Sequence, residues 1–489
     1  MFYFLKPAFP MNKISNIAKN TSYLTVALVL QKVISFTYFA ILARNLGPEY
    51  LGKYYFAIAF TTIFSIFMDF GLANVLTREG AKKPEEAQGF LGSILAIKIP
   101  LSILAVLASV LVINVLDYDI LARQLVYISL GCVILDSFTA TFFSMIRAFH
   151  NLMFESIASI AFQVIVMVFG LGALYSGLNL LWIMAALLLA SGFNFIYSAA
   201  VLRLKWKIKI WPKLDWKLSK PLIYITIPFG LYAVFQRVYM YLDSVLLSLL
   251  SGDKSVGLYQ VAFKIVFALQ FLPMAFTASL YPAMSAYWAR NREQLAISFE
   301  RAMNYMIIIS LPITFGIIVL ADKIMLVFKK EYLEGILAMQ IIVGSLVFIF
   351  MNFAIGALLN ACDRQKVNTA NMGVVLIFAV VLNLILIPRF GASGASLTAL
   401  LTNVLMFCLG IYWVPKIISY RHWKVLKVFF KSMVSAGLMG WVVWYLKSGL
   451  NIFADVFIGA LVYFVILFLL GGFRKEDVLS IWRSFTRKA

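Results

Sequence analysis

Charged and amide side chains in the middle of long apolar stretches are the residues of this chain best suited to do chemistry. Lys32 follows Gln31 within YLTVALVLQKVISFTYFAILA, and Arg237 follows Gln236 in a second apolar stretch. A charge at the centre of a membrane helix costs roughly 2.5 to 3.5 kcal/mol on insertion scales, so such residues tend to be functional or paired. The two cations therefore predict either contact with an anionic ligand or pairing with acids of neighbouring helices.

Two further cations lie at depths where an acid could neutralise them. Asp243 and Lys264 are each about seven or eight residues from the same loop, roughly 10 to 12 Å at 1.5 Å per residue, so they are expected at a common depth. A salt bridge between them and a substrate contact by Lys264 are equally good interpretations. Asp69 and Lys98 are expected to pair in the same way near the cytoplasmic ends of two spans.

Asp136 lies near the centre of its apolar stretch without a basic neighbour in the sequence. A carboxyl group in that position is a candidate for proton or Na⁺ coupling, and a hydrogen-bonded structural role is equally plausible. Asp243 and Asp69 are the other acids considered for coupling. Two histidines and three scattered cysteines offer too few ligands for a metal centre, so neither a metal, a cofactor nor a catalytic residue is predicted.

The composition identifies the elements that position these residues. The chain has 489 residues, of which 63% are hydrophobic and 13% charged, and such values are far from those of soluble proteins. Its apolar runs of about 20 residues predict transmembrane helices, because a lipid-exposed backbone must satisfy its own hydrogen bonds. We predict an all-α polytopic membrane protein with about fourteen spans, centred near Ile34, Ile63, Ala105, Ile134, Met167, Leu189, Phe235, Leu269, Ile313, Phe348, Ala379, Leu401, Leu438 and Leu461.

The distribution of basic residues predicts the orientation. An even number of spans keeps both termini on one side, and most of the 42 Lys and Arg residues then fall in segments that the positive-inside rule assigns to the cytoplasm. Seven of them lie between Arg203 and Lys220, interleaved with tryptophans. This pattern favours a juxtamembrane segment on anionic headgroups over a nucleic-acid site. The first ten residues, MFYFLKPAFP, are expected to be an interfacial anchor or an upstream start.

The sequence repeats itself at an offset of 205 residues. Seven identities occur in 27 ungapped columns, among them Gln31 with Gln236 and Gly47 with Gly252, while Lys32 falls on Arg237. Because the offset covers an even number of spans, the two halves run parallel, as in transporters that rock around a midplane site. We predict an N-terminal lobe at 1–202, a basic cytoplasmic linker at 203–220, a C-terminal lobe at 221–414, and spans 13 and 14 with a cytoplasmic tail at 415–489.

Several longer motifs resemble one transporter family. ILARNLGPEYLGKYYFAIAF, MDFGLANVLTRE, SVGLYQVAFKI, LPMAFTASLYPAMS and LNLILIPRFGASGASLTALLT are similar to the polysaccharide transporters of the MOP exporter superfamily, the Wzx-type flippases. The resemblance implies a multi-pass protein of the cytoplasmic membrane that moves a polyprenyl-(pyro)phosphate-linked oligosaccharide to the outer leaflet. It also implies work alongside a polysaccharide polymerase and glycosyltransferases, and a central cavity with basic residues.

Five residues are predicted to contact this substrate: Lys32, Arg237, Gln31, Gln236 and Lys264. Arg237 is ranked first because a planar guanidinium can grip two phosphate oxygens at once. Two other functions stay open. A MATE-like antiporter of small cations is disfavoured by the cationic cavity residues, and a membrane-embedded polymerase or ligase is disfavoured by the short external loops.

Overall fold

The computed structural model describes residues 15–472, apart from the side chains of residues 15–25, 223, 225 and 227–229. This range is nearly all helical and contains no strand, which confirms the predicted all-α class. MFYFLKPAFP and the tail from residue 473 lie outside the described residues. The helices are α1 (Ser15–Asp69), α2 (Leu72–Lys82), α3 (Ala87–Val115), α4 (Ile120–Ala148), α5 (Met153–Tyr175), α6 (Leu180–Lys205), α7 (Trp216–Ser251), α8 (Asp253–Leu269), α9 (Phe271–Arg290), α10 (Arg292–Phe328), α11 (Ile336–Ala361), α12 (Gln365–Trp413), α13 (His422–Leu446) and α14 (Ile452–Leu469).

Twelve helical stretches of the described range are long and apolar enough to cross a membrane. Two of them are much longer than one crossing requires, with 57 residues in Val26–Lys82 and 52 in Gln365–Lys416. At 1.5 Å per residue each would extend about 80 Å, against a hydrocarbon core of about 30 Å. The predicted span centres Ile34 and Ile63 both fall in the first of these stretches, and those of spans 11 and 12 both fall in the second.

Both long stretches are interrupted at a glycine whose backbone is not helical. Gly47 has φ 73° and ψ 172° and is followed by Pro48, and Gly391 has φ 52° and ψ −128°. Glycine takes up positive φ at little steric cost, and proline removes a backbone donor that a continuing helix would need. Each interruption therefore ends one apolar helix and begins another without a loop.

The turn at Gly47 has a counterpart 205 residues later. Gly252 has φ 82° and ψ 167°, close to the 73° and 172° of Gly47. In both turns a second glycine follows five residues on, at Gly52 and Gly257, and both of these residues are buried. The repeat that the identities predict is therefore present in the backbone conformation as well.

The chain divides into two compact units. Within the described range, the first unit comprises the chain up to residue 39 together with 57–234, and the second comprises 40–56 together with the chain from residue 235. Helix α1 contributes to both, because its turn at Gly47 is part of the second unit. The domain boundaries predicted from the sequence stay predictions.

The first unit has an apolar core to which each helix from α2 to α7 contributes. The basic linker lies against this core: the Lys213 N–H donates to the Gly92 carbonyl at 3.1 Å, and the Asp215 N–H donates to Ser93 Oγ at 3.4 Å. Ile208 of the linker is buried among the core side chains. The linker is thus packed on the start of α3 rather than hanging between helices.

Ion pairs attach the two C-terminal helices to α10 in the second unit. Lys323 of α10 donates to Asp455 of α14 at 2.7 Å, and Lys447 at the end of α13 donates to Asp322 of α10 at 2.7 Å. Asp455 is almost fully buried, so the first of these pairs is protected from water. Spans 13 and 14 are therefore an integral part of the second unit.

Candidate substrate and ion-coupling sites

Arg237 is an exposed cation of the second unit. It lies in the Gly230–Ser251 portion of α7 that could cross a membrane, and both it and Gln236 are exposed. Among the described residues, neither side chain has a hydrogen bond or an ion pair. A charged side chain at membrane depth usually faces a bundle interior or a water-filled cavity, so contact of Arg237 with an anion stays a prediction. A phosphate can accept two parallel hydrogen bonds from such a group.

Lys32 and Gln31 lie in the part of α1 that belongs to the first unit. Both side chains are half-buried, in contrast to the exposed pair on α7. Lys32 therefore presents a more shielded charge than Arg237, its equivalent in the repeat. That these two cations converge on one ligand stays a prediction.

Lys264 of α8 is half-buried against an aromatic ring. Its Nζ lies 4.6 Å from the ring centroid of Tyr55, a cation–π geometry that steadies the ammonium without neutralising it. The predicted alternative of a salt bridge to Asp243 is not found, because the oxygens of that carboxylate accept from other groups. A substrate contact by Lys264 therefore stays a prediction.

Asp243 is a buried carboxylate in the second unit, with only 7% of its surface exposed. Its Oδ2 accepts a hydrogen bond from the Tyr259 hydroxyl at 2.7 Å, and its Oδ1 accepts one from Asn383 Nδ2 at 2.7 Å. No basic group of the described residues joins this arrangement. A buried negative charge without a cationic partner is costly unless it binds a proton or a metal ion.

Two amide oxygens of the residues around Asp243 and its neighbour Ser244 have no hydrogen-bond partner in the described range. Asn383 is fully buried and its Oδ1 has no hydrogen-bond partner among the described residues. Gln260 donates to the hydroxyl of Ser244, the neighbour of Asp243, at 2.7 Å, while its own Oε1 lacks a donor. Carboxylate and amide oxygens are the ligands that hard cations prefer. A role of this cluster in ion coupling stays a prediction.

Sequence reasoning missed Tyr259 and Asn383 as partners of Asp243, and Gln260 as the partner of the neighbouring Ser244. One signal was present: Asn383 is an isolated amide in the apolar run GVVLIFAVVLNLILI. An uncharged polar residue in such a run usually has a bonding partner, since an unpaired amide in an apolar medium is costly. The identity of that partner, 140 residues away in the chain, could not be inferred from this signal.

The predicted pairing of Asp69 with Lys98 is confirmed. Lys98 is fully buried, and its Nζ donates to Asp69 Oδ1 at 2.7 Å, to the Ser137 carbonyl at 2.7 Å and to Thr141 Oγ1 at 2.8 Å. All three ammonium hydrogens thus have acceptors. Because its charge is already compensated, Asp69 is a weaker candidate for ion coupling than Asp243.

Removing the Lys98 ammonium is expected to lower the stability of the protein rather than to remove a group that contacts the substrate. Lys98→Met is expected to lower the free energy of unfolding by about 3 to 5 kcal/mol, because it leaves a partly buried carboxylate without its cation. Thermal unfolding of the purified protein measures the change. Lys98→Met combined with Asp69→Leu is expected to recover part of the loss, and equal instability of the single and double variants would contradict an ion-pair role.

Asp136 of α4 is exposed, although it lies well inside the helix. The Ser191 side chain of α6 lies beside it, and no basic residue of the described range pairs with it. Asp136 stays a candidate for ion coupling, with less enclosure than Asp243.

Comparison with known families adds a second line of evidence. The family described as Polysaccharide biosynthesis protein matches residues 17–288, more than half of the chain. The family described as MatE matches residues 228–387, a smaller part that lies mostly in the second repeat.

Similar proteins cover nearly the whole chain. An uncharacterized membrane protein of Methanocaldococcus jannaschii, MJ1068, is 24% identical over 92% of this chain and 94% of its own length. The probable low-salt glycan biosynthesis flippase Agl15 of Haloferax volcanii is 22% identical over 96% of this chain and 99% of its own length. Among solved structures, the lipid II flippase MurJ in an inward closed conformation superimposes with a TM-score of 0.74 at 16% identity, covering 93% of this chain and 99% of MurJ.

The similarity to MurJ at this level of identity establishes the fold, and the family match establishes the lineage. The resemblance to MOP-superfamily polysaccharide transporters that the sequence motifs carry is confirmed by both. The chain belongs to the Polysaccharide biosynthesis protein family and has a MurJ-like fold.

Proposed function

We propose that this protein is a flippase that moves a polyprenyl-(pyro)phosphate-linked oligosaccharide from the cytoplasmic to the outer leaflet by alternating access. The observation that carries the proposal is the exposed Arg237 at membrane depth, which has no acidic partner in the described range, in a chain of a polysaccharide biosynthesis family. The name of Agl15, a probable glycan biosynthesis flippase, supports the same substrate class.

The chemistry of the substrate fits the cations of both repeats. A pyrophosphate-linked headgroup is anionic and cannot enter lipid unaided, so it needs positive charge along its path while the polyprenyl tail stays in the bilayer. Arg237 would grip the phosphate oxygens bidentately, and Lys264 and Lys32 would add point charges. Gln236 and Gln31, next to the two repeat-related cations, would donate amide hydrogen bonds.

Asp243 is our proposed ion-coupling residue. Its burial, its missing protein cation and the unused oxygens of Asn383 and Gln260 suit the binding of one H⁺ or Na⁺. Binding of the ion would neutralise the Asp243 carboxylate, and its release would restore the negative charge. The free-energy cost of keeping this carboxylate buried would therefore depend on whether the ion is bound. An ion gradient could thereby favour one direction of transport.

The membrane arrangement completes the proposal. Counting each of the two interrupted helices as a pair would give fourteen crossings, in line with the predicted number, and the excess of Lys and Arg favours cytoplasmic termini. We infer a location in the cytoplasmic membrane, where glycosyltransferases would supply the substrate and a polymerase would consume it.

The second candidate function is a MATE-like antiporter of small molecules, favoured by the match at residues 228–387. An organic cation would meet repulsion from Arg237 and Lys264, whereas an anionic headgroup would be attracted. A membrane-embedded polymerase or ligase is the weaker alternative, since the fold is that of a transporter.

A reconstitution experiment distinguishes these functions. Purified protein in liposomes is expected to expose a fluorescent polyprenyl-pyrophosphate oligosaccharide to an external quencher, at least tenfold faster than protein-free liposomes. The same liposomes are expected not to accumulate an organic cation such as ethidium. Ethidium transport without movement of the lipid-linked glycan would establish the antiporter, and formation of new glycosidic bonds would establish an enzyme.

A further inference from the structure

The two turns related by the repeat touch each other backbone to backbone within the second unit. A Cβ added at Gly52 would overlap the Asp253 carbonyl oxygen, and one added at Gly257 would overlap the Pro48 carbonyl oxygen. Position 48 is equivalent to 253, and 52 to 257, so the contact is reciprocal about a local two-fold axis. Only glycine at both positions allows the turns to come this close.

The first turn is held in place by bonds next to this contact. The buried Tyr332 hydroxyl donates to the Ala43 carbonyl at 3.0 Å, which ties the outer end of the first span to the second unit. The atoms nearest to a Cβ added at Gly52 or Gly257 are all backbone atoms, chiefly the carbonyl oxygens of Asp253 and Pro48. The closeness of this approach is therefore set by the backbone, and one added methyl group is enough to force the turns apart.

A second contact of the same kind occurs within the first unit, after the end of α1. A Cβ added at Gly230 of α7 would overlap the Phe70 carbonyl oxygen, and one added at Gly71 would lie 3.1 Å from the Gly230 Cα. Gly71 has φ 91°, so its backbone also requires glycine. Here too a helix of the first repeat meets a helix of the second repeat through bare backbone.

The two contacts lie near opposite ends of the second span. From Gly52 to Asp69, the last residue of α1, the helix rises about 26 Å at 1.5 Å per residue, close to the hydrocarbon thickness of about 30 Å. In the predicted orientation, the Gly52–Gly257 contact is external and the Gly71–Gly230 contact is cytoplasmic. Each therefore joins the two repeats on one side of the membrane.

We propose that these two glycine contacts are opposing locks of the transport cycle, the first closing the external side and the second closing the cytoplasmic side. The inference rests on the proposed alternating-access function and names the residues that let each side close. A methyl group at Gly52 or Gly257 would hold the external contact apart and favour outward opening. A methyl group at Gly230 would hold the cytoplasmic contact apart and favour inward opening.

Spin-label distances test the proposal in the full-length protein, reconstituted in liposomes after replacement of its native cysteines. One label pair at the exposed positions Glu49 and Lys254 reports on the external contact, and another at the exposed positions Asn74 and Tyr224 reports on the cytoplasmic contact. Gly52→Ala is expected to lengthen the external distance by several ångströms and to leave the cytoplasmic distance at its parent value or shorter. Gly230→Ala is expected to do the opposite.

Matched controls come from two helical glycines without a neighbouring atom within 4 Å of an added Cβ, Gly172 and Gly356. Gly172→Ala and Gly356→Ala are expected to change neither distance. The proposal is wrong if Gly52→Ala and Gly230→Ala leave both distance distributions at the parent values, or if they shift the same pair in the same direction.

A second external variant guards against misfolding. Gly257→Ala must reproduce the effect of Gly52→Ala, and size-exclusion chromatography with thermal unfolding selects the folded proteins among these variants. If Gly52→Ala does not fold, the distance measured in Gly257→Ala tests the external contact instead. The distances require no glycan, so opposite shifts without glycan movement would support the locks and refute the flippase, whereas unchanged distances with glycan movement would refute the locks alone.

Discussion

Arg237→Ala is expected to reduce the rate of lipid-linked oligosaccharide movement by about 100-fold, with the protein still inserted and folded. The loss follows from removing a charged partner of a desolvated phosphate, which costs about 3 kcal/mol, and each 1.4 kcal/mol corresponds to a factor of ten. Because Arg237 is exposed and makes no bond to the described residues, its removal leaves no buried group unpaired. The liposome quenching assay measures the rate.

Two variants separate the geometry of this contact from its charge. Arg237→Lys keeps the charge and loses the bidentate fork, so an intermediate rate is expected. Arg290→Ala removes an exposed arginine from the end of α9, outside the proposed site, and should leave the rate unchanged. Full activity of Arg237→Ala would show that the substrate does not depend on this guanidinium.

Asp243→Asn is expected to abolish coupling to the ion gradient while preserving the fold. The replacement has nearly the same shape, but its neutral amide is not protonated and does not attract Na⁺ by charge. Because it also removes a buried charge, stability should be equal or higher. If one proton moves per substrate, a gradient of one pH unit is worth about 1.4 kcal/mol and supports about tenfold asymmetry between leaflets. The variant is expected to equilibrate the substrate without asymmetry.

Asp136→Asn is the matched variant for this experiment. It removes an acid that is more exposed and belongs to the other unit, so it is expected to retain gradient-driven asymmetry. Replacing the H⁺ gradient by a Na⁺ gradient in the same liposomes identifies the ion. Loss of asymmetry in Asp136→Asn, together with full asymmetry in Asp243→Asn, would transfer the coupling role to the first unit.

The repeat duplicates the proposed substrate-binding cations but not the proposed ion-coupling carboxylate. The cations are duplicated, since Lys32 is equivalent to Arg237, but the coupling carboxylate is not. Tyr38 stands 205 residues before Asp243, where an equivalent acid would lie. The proposed substrate grip is therefore shared by both halves, and the proposed ion site belongs to one.

Local patterns were sufficient for the class, the spans and the charged candidates. Hydropathy reports on each helix separately, and the cost of a charge in lipid identifies residues such as Arg237 and Asp243 without any knowledge of their neighbours. The 205-residue offset likewise needs only identities along the chain. It is sufficient to predict that Gly47 is equivalent to Gly252, and Gly52 to Gly257.

Contacts between distant segments were decided by the tertiary structure alone. No local pattern indicates that Asp243 accepts from Asn383, 140 residues away, rather than pairing with Lys264. The same holds for the approach of Gly52 to Asp253, since a glycine in a sequence predicts a tight turn but not which backbone it will meet. Hydropathy and spacing depend on residues that are close in the chain, whereas burial and hydrogen-bond partners depend on how the helices pack.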